Sequence, residues 1–448
     1  MKPLILLLLT SSCTFVHNTS LAPKLVTHTQ YFHKLPADEP EESAAAPRTL
    51  AECIELALAQ SEAIGIAKER VKQAQFAEDA VVAAARPLVT LEGTHERSKD
   101  AGGSGSGGFG SFLEPTNDEL KVRAETPLYS GFRNRSGRRA AQAWQANRMA
   151  SLRHTRDKTA LEVTEAYLSV LDADHQAATL RSQLTLQKAQ ITQMETRAAA
   201  GDARHSEVLL RQAQAAETTA ALIAANEDEA VARETLAFRI GRQARGDLAD
   251  PEIALPDMLT LSTLRDQALA SRADLAALNS AILAREEDVE TIRRGTHPEV
   301  TLAGEYFIKR GGILEDVDWL VSLELRWELA DSGRRDAQLG EARSLIGEAI
   351  LTHREQLRRV DLDLRRLLAE ITGSQARTKA LGQSLKLASS AHEQATAEYE
   401  AGVGQNLEVL AAEDQRLRAQ LAISQQALRL QLLVAELRVA TGQPPVPQ

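Results

Sequence analysis

The sequence predicts a mainly α-helical chain that also supplies transmembrane β-strands, the whole plan written twice as a tandem structural repeat. Three observations predict it. Aromatic residues make up only 4 % of the 448 residues while hydrophobic residues reach 43 %, a composition that suits long helices packed through small side chains. Two proline-free stretches, 132–199 and 334–401, each run for 68 residues. Four short segments alternate apolar and polar residues with the period of two that a strand imposes. The net charge of −10 excludes nucleic acid as a natural partner. No apolar run reaches the roughly 18 residues that a membrane-spanning helix needs, so any passage through a bilayer falls to strands.

Residues 1–12 read as a secretory signal: Lys2 is a minimal basic region and Leu4 to Leu9 form a short apolar core. Thr10-Ser11-Ser12-Cys13 follows, close in pattern to a lipobox, although Thr10 stands where leucine is usual. Two readings stand here: acylation of Cys13, which would anchor the chain in a leaflet, or an ordinary signal with a cysteine nearby. Residues 13–48 carry Pro23, Pro36, Pro40 and Pro47 and the acidic run Asp38-Glu39-Pro40-Glu41-Glu42, which describes an extended tether. His17, His28 and His33 in it are read as solvated rather than metal-binding. The second cysteine, Cys53, shares a helical stripe with Leu50, Ile54, Ala57 and Leu58 and is expected in the core.

Internal repetition decides the fold. Pro87-Leu88-Val89-Thr90-Leu91-Glu92-Gly93 matches Pro298-Glu299-Val300-Thr301-Leu302-Ala303-Gly304 at an offset of 211, with five identities in seven. Ala57-Leu58-Ala59 matches Ala268-Leu269-Ala270 at the same offset. Ser130-Gly131 matches Ser332-Gly333 at 202; Ala200-Gly201, Glu207-Val208-Leu209 and Gly241 then match Ala401-Gly402, Glu408-Val409-Leu410 and Gly442 at 201. The order is fixed and the length change falls between residues 94 and 130. Repeat 1 is expected over 49–241, with a β-hairpin at 87–129, a long helix at 132–199, a tip at 200–206 and a return helix. A linker follows at 242–259. Repeat 2 is expected over 260–442, with a hairpin at 298–329, a long helix at 334–401, a tip at 401–406 and a return helix, before a tail at 443–448. In each repeat one helix of about 35 residues should run up to the proline, which cannot continue the hydrogen-bond ladder. Gly241 and Gly442 suit helix ends.

The strands carry one apolar and one polar face. Val89, Leu91 and Gly93 oppose Thr90, Glu92 and Glu96; Leu120, Val122 and Ala124 oppose Lys121, Arg123 and Glu125; Val300, Leu302 and Tyr306 oppose Thr301 and Glu305; Val321, Leu323 and Leu325 oppose Ser322, Glu324 and Arg326. Such faces suit a wall between lipid and water. Trp319 and Trp327 lie eight residues apart, roughly 27 Å along a strand, the spacing of two interfacial aromatic girdles. Four strands cannot close a barrel, and open edges in lipid would leave backbone groups unsatisfied. Several copies must therefore share one barrel, and three would give twelve strands. The glycine- and serine-rich stretch 101–111 reads as a flexible loop, since no Gly-Lys-Ser/Thr follows to cradle a phosphate.

Each 68-residue stretch spans roughly 100 Å as a helix, enough to cross an aqueous compartment. After the second tip, Leu407, Leu410, Leu417, Leu421, Leu428 and Ala435 fall at near-heptad spacing and seek a helical neighbour. The twofold order of helix, Pro-strand, strand, Ser-Gly, long helix, Ala-Gly tip and helix resembles the TolC-like outer-membrane factor family, the outer membrane efflux proteins. Cys13 adds a resemblance to the family's lipoprotein branch. The segment Tyr399-Glu400-Ala401-Gly402-Val403-Gly404-Gln405-Asn406-Leu407-Glu408-Val409-Leu410 is similar to the family's periplasmic tip motif, and the resemblance covers residues 49 to 442.

That resemblance implies a homotrimer in which a 12-stranded β-barrel in the Gram-negative outer membrane continues into a long periplasmic α-helical barrel. It implies docking of the tips, Gly201, Asp202, Gly402, Val403 and Gly404, on a periplasmic adaptor that leads to an inner-membrane transporter. It places Glu207, Tyr399 and Glu408 at a periplasmic constriction. The second acid frequent in the family is here Ala411, and Gly404 stands where some members carry an arginine. The residues themselves allow a second reading, in which Glu207 and Glu408 are acids favoured at helix N-termini and Tyr399 packs a helix. The sequence shows no nucleophile elbow, nucleotide loop or metal-ligand spacing, so the expected role is an exit duct for efflux or type I secretion, without cofactor. The alternative is a soluble long-helix scaffold.

Overall fold

A computed structural model describes residues 47–97, 116–201, 204–244, 246–251, 253, 260–310 and 316–446. The signal segment, Cys13, nearly all of the tether, the glycine-rich loop, Asp202, parts of the 242–259 linker and the end of the 443–448 tail lie outside them.

The chain enters its first helix, α1 (Leu50–Gln60), through a reciprocal cap. Thr49 Oγ1 accepts the Glu52 amide at 3.3 Å, while the Glu52 carboxylate accepts the amides of Thr49 at 3.2 Å and Arg48 at 2.8 Å. The helix stops after 11 residues, and α2 (Glu62–Ala83) starts again past an extended Ser61. In the second repeat, α5 (Leu261–Ser271) and α6 (Ala273–Arg294) are separated in the same way by an extended Arg272. The single helix of about 35 residues expected in each repeat is thus two helices with a step between them. Each step lies against the glycine turn that ends the repeat. A Cβ on Gly241 would lie 2.6 Å from Gln60 Oε1, and one on Gly442 would lie 2.7 Å from the Ser271 carbonyl carbon. At Gly442 the neighbour is backbone and leaves no space for a side chain, whereas at Gly241 it is the end of the Gln60 side chain; both glycines also hold a positive φ. A one-residue step barely disturbs the apolar periodicity, so the sequence pattern hides it.

Neither proline is the residue at which the helix stops. The first helix pair ends at Ala83 and the second at Arg294, and a turn intervenes before Pro87 and Pro298. Strands β1 (Leu88–Arg97), β2 (Thr116–Tyr129), β3 (Glu299–Lys309) and β4 (Trp319–Arg326) form one antiparallel sheet in the order β1-β2-β3-β4. Leu91 faces Val122, Val122 faces Tyr306, and Leu302 faces Leu323 across the ladders. Pro127 lies inside a central strand, where it removes a ladder donor, and the register shifts at that point. On the polar face, Lys121 Nζ lies 3.1–3.6 Å from Glu119, Glu305 and Glu92. Arg123 reaches Glu305 at 2.8 Å, Glu125 at 3.2 Å and Glu324 at 3.3 Å. The charges of four strands are knitted into one ladder, while Leu91, Val321, Leu323 and Leu325 on the other face are exposed.

The sheet feeds α3 (Arg133–Ala199) and α7 (Arg334–Glu400), each 67 residues and about 100 Å long. Two successive left-handed residues precede each: Gly131 and Phe132 in one repeat, Ser332 and Gly333 in the other. The structural correspondence between the repeats here is therefore 201, one residue away from the 202 that the Ser-Gly identity suggested. The return helices are α4 (His205–Ile240) and α8 (Asn406–Ala440). Large apolar side chains gather near the middle of the long helices. Tyr167 and Leu171 pack with Cys53, Leu236 and Ile240, and Leu364, Leu367 and Ile371 pack with Leu433 and Leu437. The Tyr167 hydroxyl lies 2.7 Å from the Ala249 carbonyl and 2.8 Å from that of Arg48, tying the start of α1 and the linker to mid-helix. Among the described residues no helix is long and apolar enough to cross a membrane.

Candidate gate at the hairpin tips

The two long hairpins end in turns built for tight reversal. Gly201 has φ +87° and Gly402 φ +78°, a region that costs other residues energy. At the second tip the amides of Val403 and Gly404 both donate to the Glu398 carbonyl at 3.0 Å, and the Gly402 amide donates to Tyr399. A Cβ on Gly404 would approach the Tyr399 nitrogen at 3.0 Å and Glu398 at 3.1 Å. A side chain at this position would crowd the backbone, and Val403 is left projecting with 81 % of its surface exposed.

Two of the three expected constriction residues meet. The Tyr399 hydroxyl on α7 donates to Glu207 Oε2 on α4 at 3.1 Å, a bond across 192 residues of sequence that joins one repeat's tip to the other's. Burial, and then the Glu207 carboxylate itself, push the Tyr399 hydroxyl above the usual tyrosine range, so it remains a donor. Glu207 and Glu408 each stand in the first turn of their helices, where the helix dipole favours an acid. Glu408 also accepts the Gln405 amide at 3.3 Å. Its described contacts are with the start of its own helix and not with Tyr399 or Glu207.

A second polar group near the tips gave no strong sequence signal. Gln183 of α3, Arg211 of α4 and Glu413 of α8 meet out of solvent, with the Glu413 carboxylate hydrogen-bonded to both partners. The signal available was a charge on an apolar stripe: Arg211 shares its helix face with the buried Val208 and Ala215, and Glu413 shares its face with Val409 and Leu410. Heptad reading had instead placed Leu407 in the seam, and it is exposed.

At the far end, Trp319 opens β4 and pairs in register with Tyr306, while Trp327 lies one residue past the strand and donates its Nε1 hydrogen to the Thr296 carbonyl at 3.0 Å. Both indoles are exposed, one at each end of β4. Among the described residues no group of His, Cys, Asp or Glu is placed to hold a metal ion.

The sequence matches the model of the family described as "Outer membrane efflux protein" over residues 53–242 and 264–443, one stretch in each repeat. It is 26 % identical over 402 residues to the pyoverdine export outer membrane protein OpmQ of Pseudomonas aeruginosa, covering 87 % of this chain and 82 % of that one. The fold is similar to the crystal structure of the outer membrane protein VceC from Vibrio cholerae, with a TM-score of 0.74 and 22 % identity over 88 % of this chain and 96 % of the other. It is similar also to a membrane protein from Pseudomonas aeruginosa, with a TM-score of 0.78 and 20 % identity over 90 % and 92 %.

Proposed function

The chain belongs to the outer membrane efflux protein family, and on that basis we propose that three copies assemble into one exit duct that takes cargo from a periplasmic adaptor and inner-membrane transporter and releases it outside. The protein is an outer-membrane efflux channel with a periplasmic helical extension, not an enzyme. One observation carries the shared barrel; the number three is what the family supports. Among the described residues the sheet has four strands, β1 and β4 are its outer members, and its apolar face is exposed. Lipid tolerates such a sheet only when its edges are closed, and three copies supply the twelve strands of a small barrel.

In this assembly the charged ladder of Lys121, Arg123, Glu305 and Glu324 lines the water-filled interior, and Trp319 and Trp327 sit at the two membrane interfaces. The tips around Gly201, Asp202, Gly402, Val403 and Gly404 dock on the adaptor; the projecting Val403 and the stiff backbone of the second turn support that placement. The duct narrows at the tips, where Tyr399 latches onto Glu207 and three copies of Glu408 ring the axis and attract cations. Acylated Cys13 anchors each copy to the membrane, and lipid mass on the mature protein tests that element alone.

The deciding measurement is the mass and behaviour of the protein extracted from outer membranes in detergent. A heat-sensitive trimer is expected; a water-soluble monomer or dimer would overturn the shared barrel and return the chain to a helical scaffold. For the latch, Tyr399→Phe combined with Glu408→Ala should raise single-channel conductance in planar bilayers several-fold, and an unchanged conductance would remove the constriction from the tips.

A further inference from the structure

The Tyr399–Glu207 contact holds only one arm of the second hairpin, the long helix α7. We propose that the buried cluster of Arg211, Glu413 and Gln183 is a second clamp, which holds the other arm, α8, against the first hairpin and sets how far the tip opens. The proposal rests on the reading of the tips as the gate.

Three observations carry it. The first is position. Arg211 follows Glu207 by four residues on α4, so both side chains project from one face of that helix, one turn apart. Glu207 takes Tyr399 of α7 and Arg211 takes Glu413 of α8. One face of α4 therefore grips both arms of the second hairpin, while Gln183 brings α3 to the same carboxylate. Any movement of α8 away from the first hairpin must part Arg211 from Glu413.

The second observation is burial. The Arg211 side chain keeps 3 % of its surface exposed and that of Glu413 1 %. Removing two charges from water costs several kcal/mol per ion, and apolar residues of similar size at such places are frequently as stabilising or more so. Their neighbours Val208, Ala215, Val409 and Leu410 show that an apolar seam was available. Stability alone thus gives no reason for charges here. A buried pair that is satisfied in only one arrangement of the helices does give one, since it favours that arrangement over shifted ones.

The third observation is that the cluster is not a fully satisfied network. Arg211 Nε is buried without a hydrogen-bond partner among the described residues. A buried donor left unpaired costs free energy in the closed arrangement, and that cost is relieved when the site opens to water. That suits a clamp which must release when the duct opens better than a permanent girder.

The test compares single-channel conductance in planar bilayers of the full-length protein with that of Tyr399→Phe, Glu413→Gln and the exchange Arg211→Glu with Glu413→Arg. Assembly of each preparation is followed by the heat-resistance of its oligomer. Glu413→Gln is expected to raise conductance several-fold with the oligomer intact, and the exchange, which restores opposite charges, to return it towards the wild-type value. Wild-type conductance in Glu413→Gln overturns the clamp. If Glu413→Gln does not assemble, Glu413→Asp keeps the charge but shortens its reach by one methylene. Raised conductance in that variant supports the clamp, and wild-type conductance overturns it. Tyr399→Phe separates the two ideas. If it raises conductance while Glu413→Gln does not, the clamp fails and the gate stands; if it leaves conductance unchanged, the latch fails, and the Glu413 variants still decide the clamp.

Discussion

Tyr167 shows how much one side chain fixes in a chain whose helices are mostly polar and small. Its ring fills the core beside Cys53 and Leu236, and its hydroxyl lies between two carbonyls that belong to the start of α1 and to the linker. Tyr167→Phe leaves those carbonyls short of a donor and is expected to cost about 1 kcal/mol, read as a lower melting temperature with the oligomer preserved. Cys53 beside it is fully buried, and burial followed by the nearby Glu52 pushes its thiol up to about 11. It should therefore resist maleimide at neutral pH until the protein unfolds; rapid labelling of the folded oligomer would contradict its burial. At the second tip, Gly404→Ala puts a methyl against Tyr399 and Glu398. The turn should loosen by about 1 kcal/mol, seen as faster protease nicking around Val403.

At the scale of elements, the helix step at Arg272 has a polar lock of its own. The Arg272 guanidinium holds the Asp274 carboxylate at 2.7 and 3.0 Å and donates to the Ala440 carbonyl at 3.1 Å; Gln356 adds a bond to the same carboxylate at 2.8 Å. Burial works against the Asp274 charge, but Arg272 and then Gln356 hold the carboxyl below the usual aspartate range. A carboxyl depressed in the folded state stabilises above its unfolded pKa, and that stabilisation fades as pH falls through the folded value. Asp274→Asn should thus lower the melting temperature at neutral pH, and its difference from wild type should shrink below about pH 4. A constant difference across that range would show that Asp274 acts by packing alone. The elements were legible to different degrees. The long helices, the hairpins and the alternation of faces follow from period and proline alone. The steps at Ser61 and Arg272 do not, because a one-residue break leaves the apolar period nearly intact and the glycine turns packed beside them lie 180 and 170 residues further along the chain.

For the whole molecule, the surfaces left open describe what is missing. Besides the apolar face of the sheet, Ile223, Val231 and Phe238 on α4 and Leu351, Leu362 and Leu387 on α7 are exposed. On a helix such residues seek a neighbour, and in the proposed trimer that neighbour is the next copy. Cysteines placed on β1 at Leu91 and on β4 at positions from Val321 to Leu325 should cross-link copies into a covalent trimer at one register. Dimers as the largest product at every position would contradict a closed ring of three. The apolar face itself, set against Lys121 and Arg123, was legible from alternation. The closure was legible only as a necessity, since among the described residues no strand pairs with the outer edges of β1 and β4.

The sequence by itself determined the duplicated plan, the two hairpins and the lengths of the long helices, because those depend on local periodicity, on glycine and proline, and on the match between two halves of one chain. The pairing of Tyr399 with Glu207, the meeting of Arg211 with Glu413 and Gln183, and the paired helix steps were decided by tertiary structure. Each joins residues far apart in sequence whose local patterns are those of ordinary helix surfaces or helix starts. Glu207 and Glu408 make the point together. Both occupy the first turn after a tip, yet only Glu207 has Tyr399 within reach in the described contacts. By the 201-residue correspondence the first hairpin carries Ala198 where the second carries Tyr399, so the side chain that reaches across the tip comes from the second repeat alone.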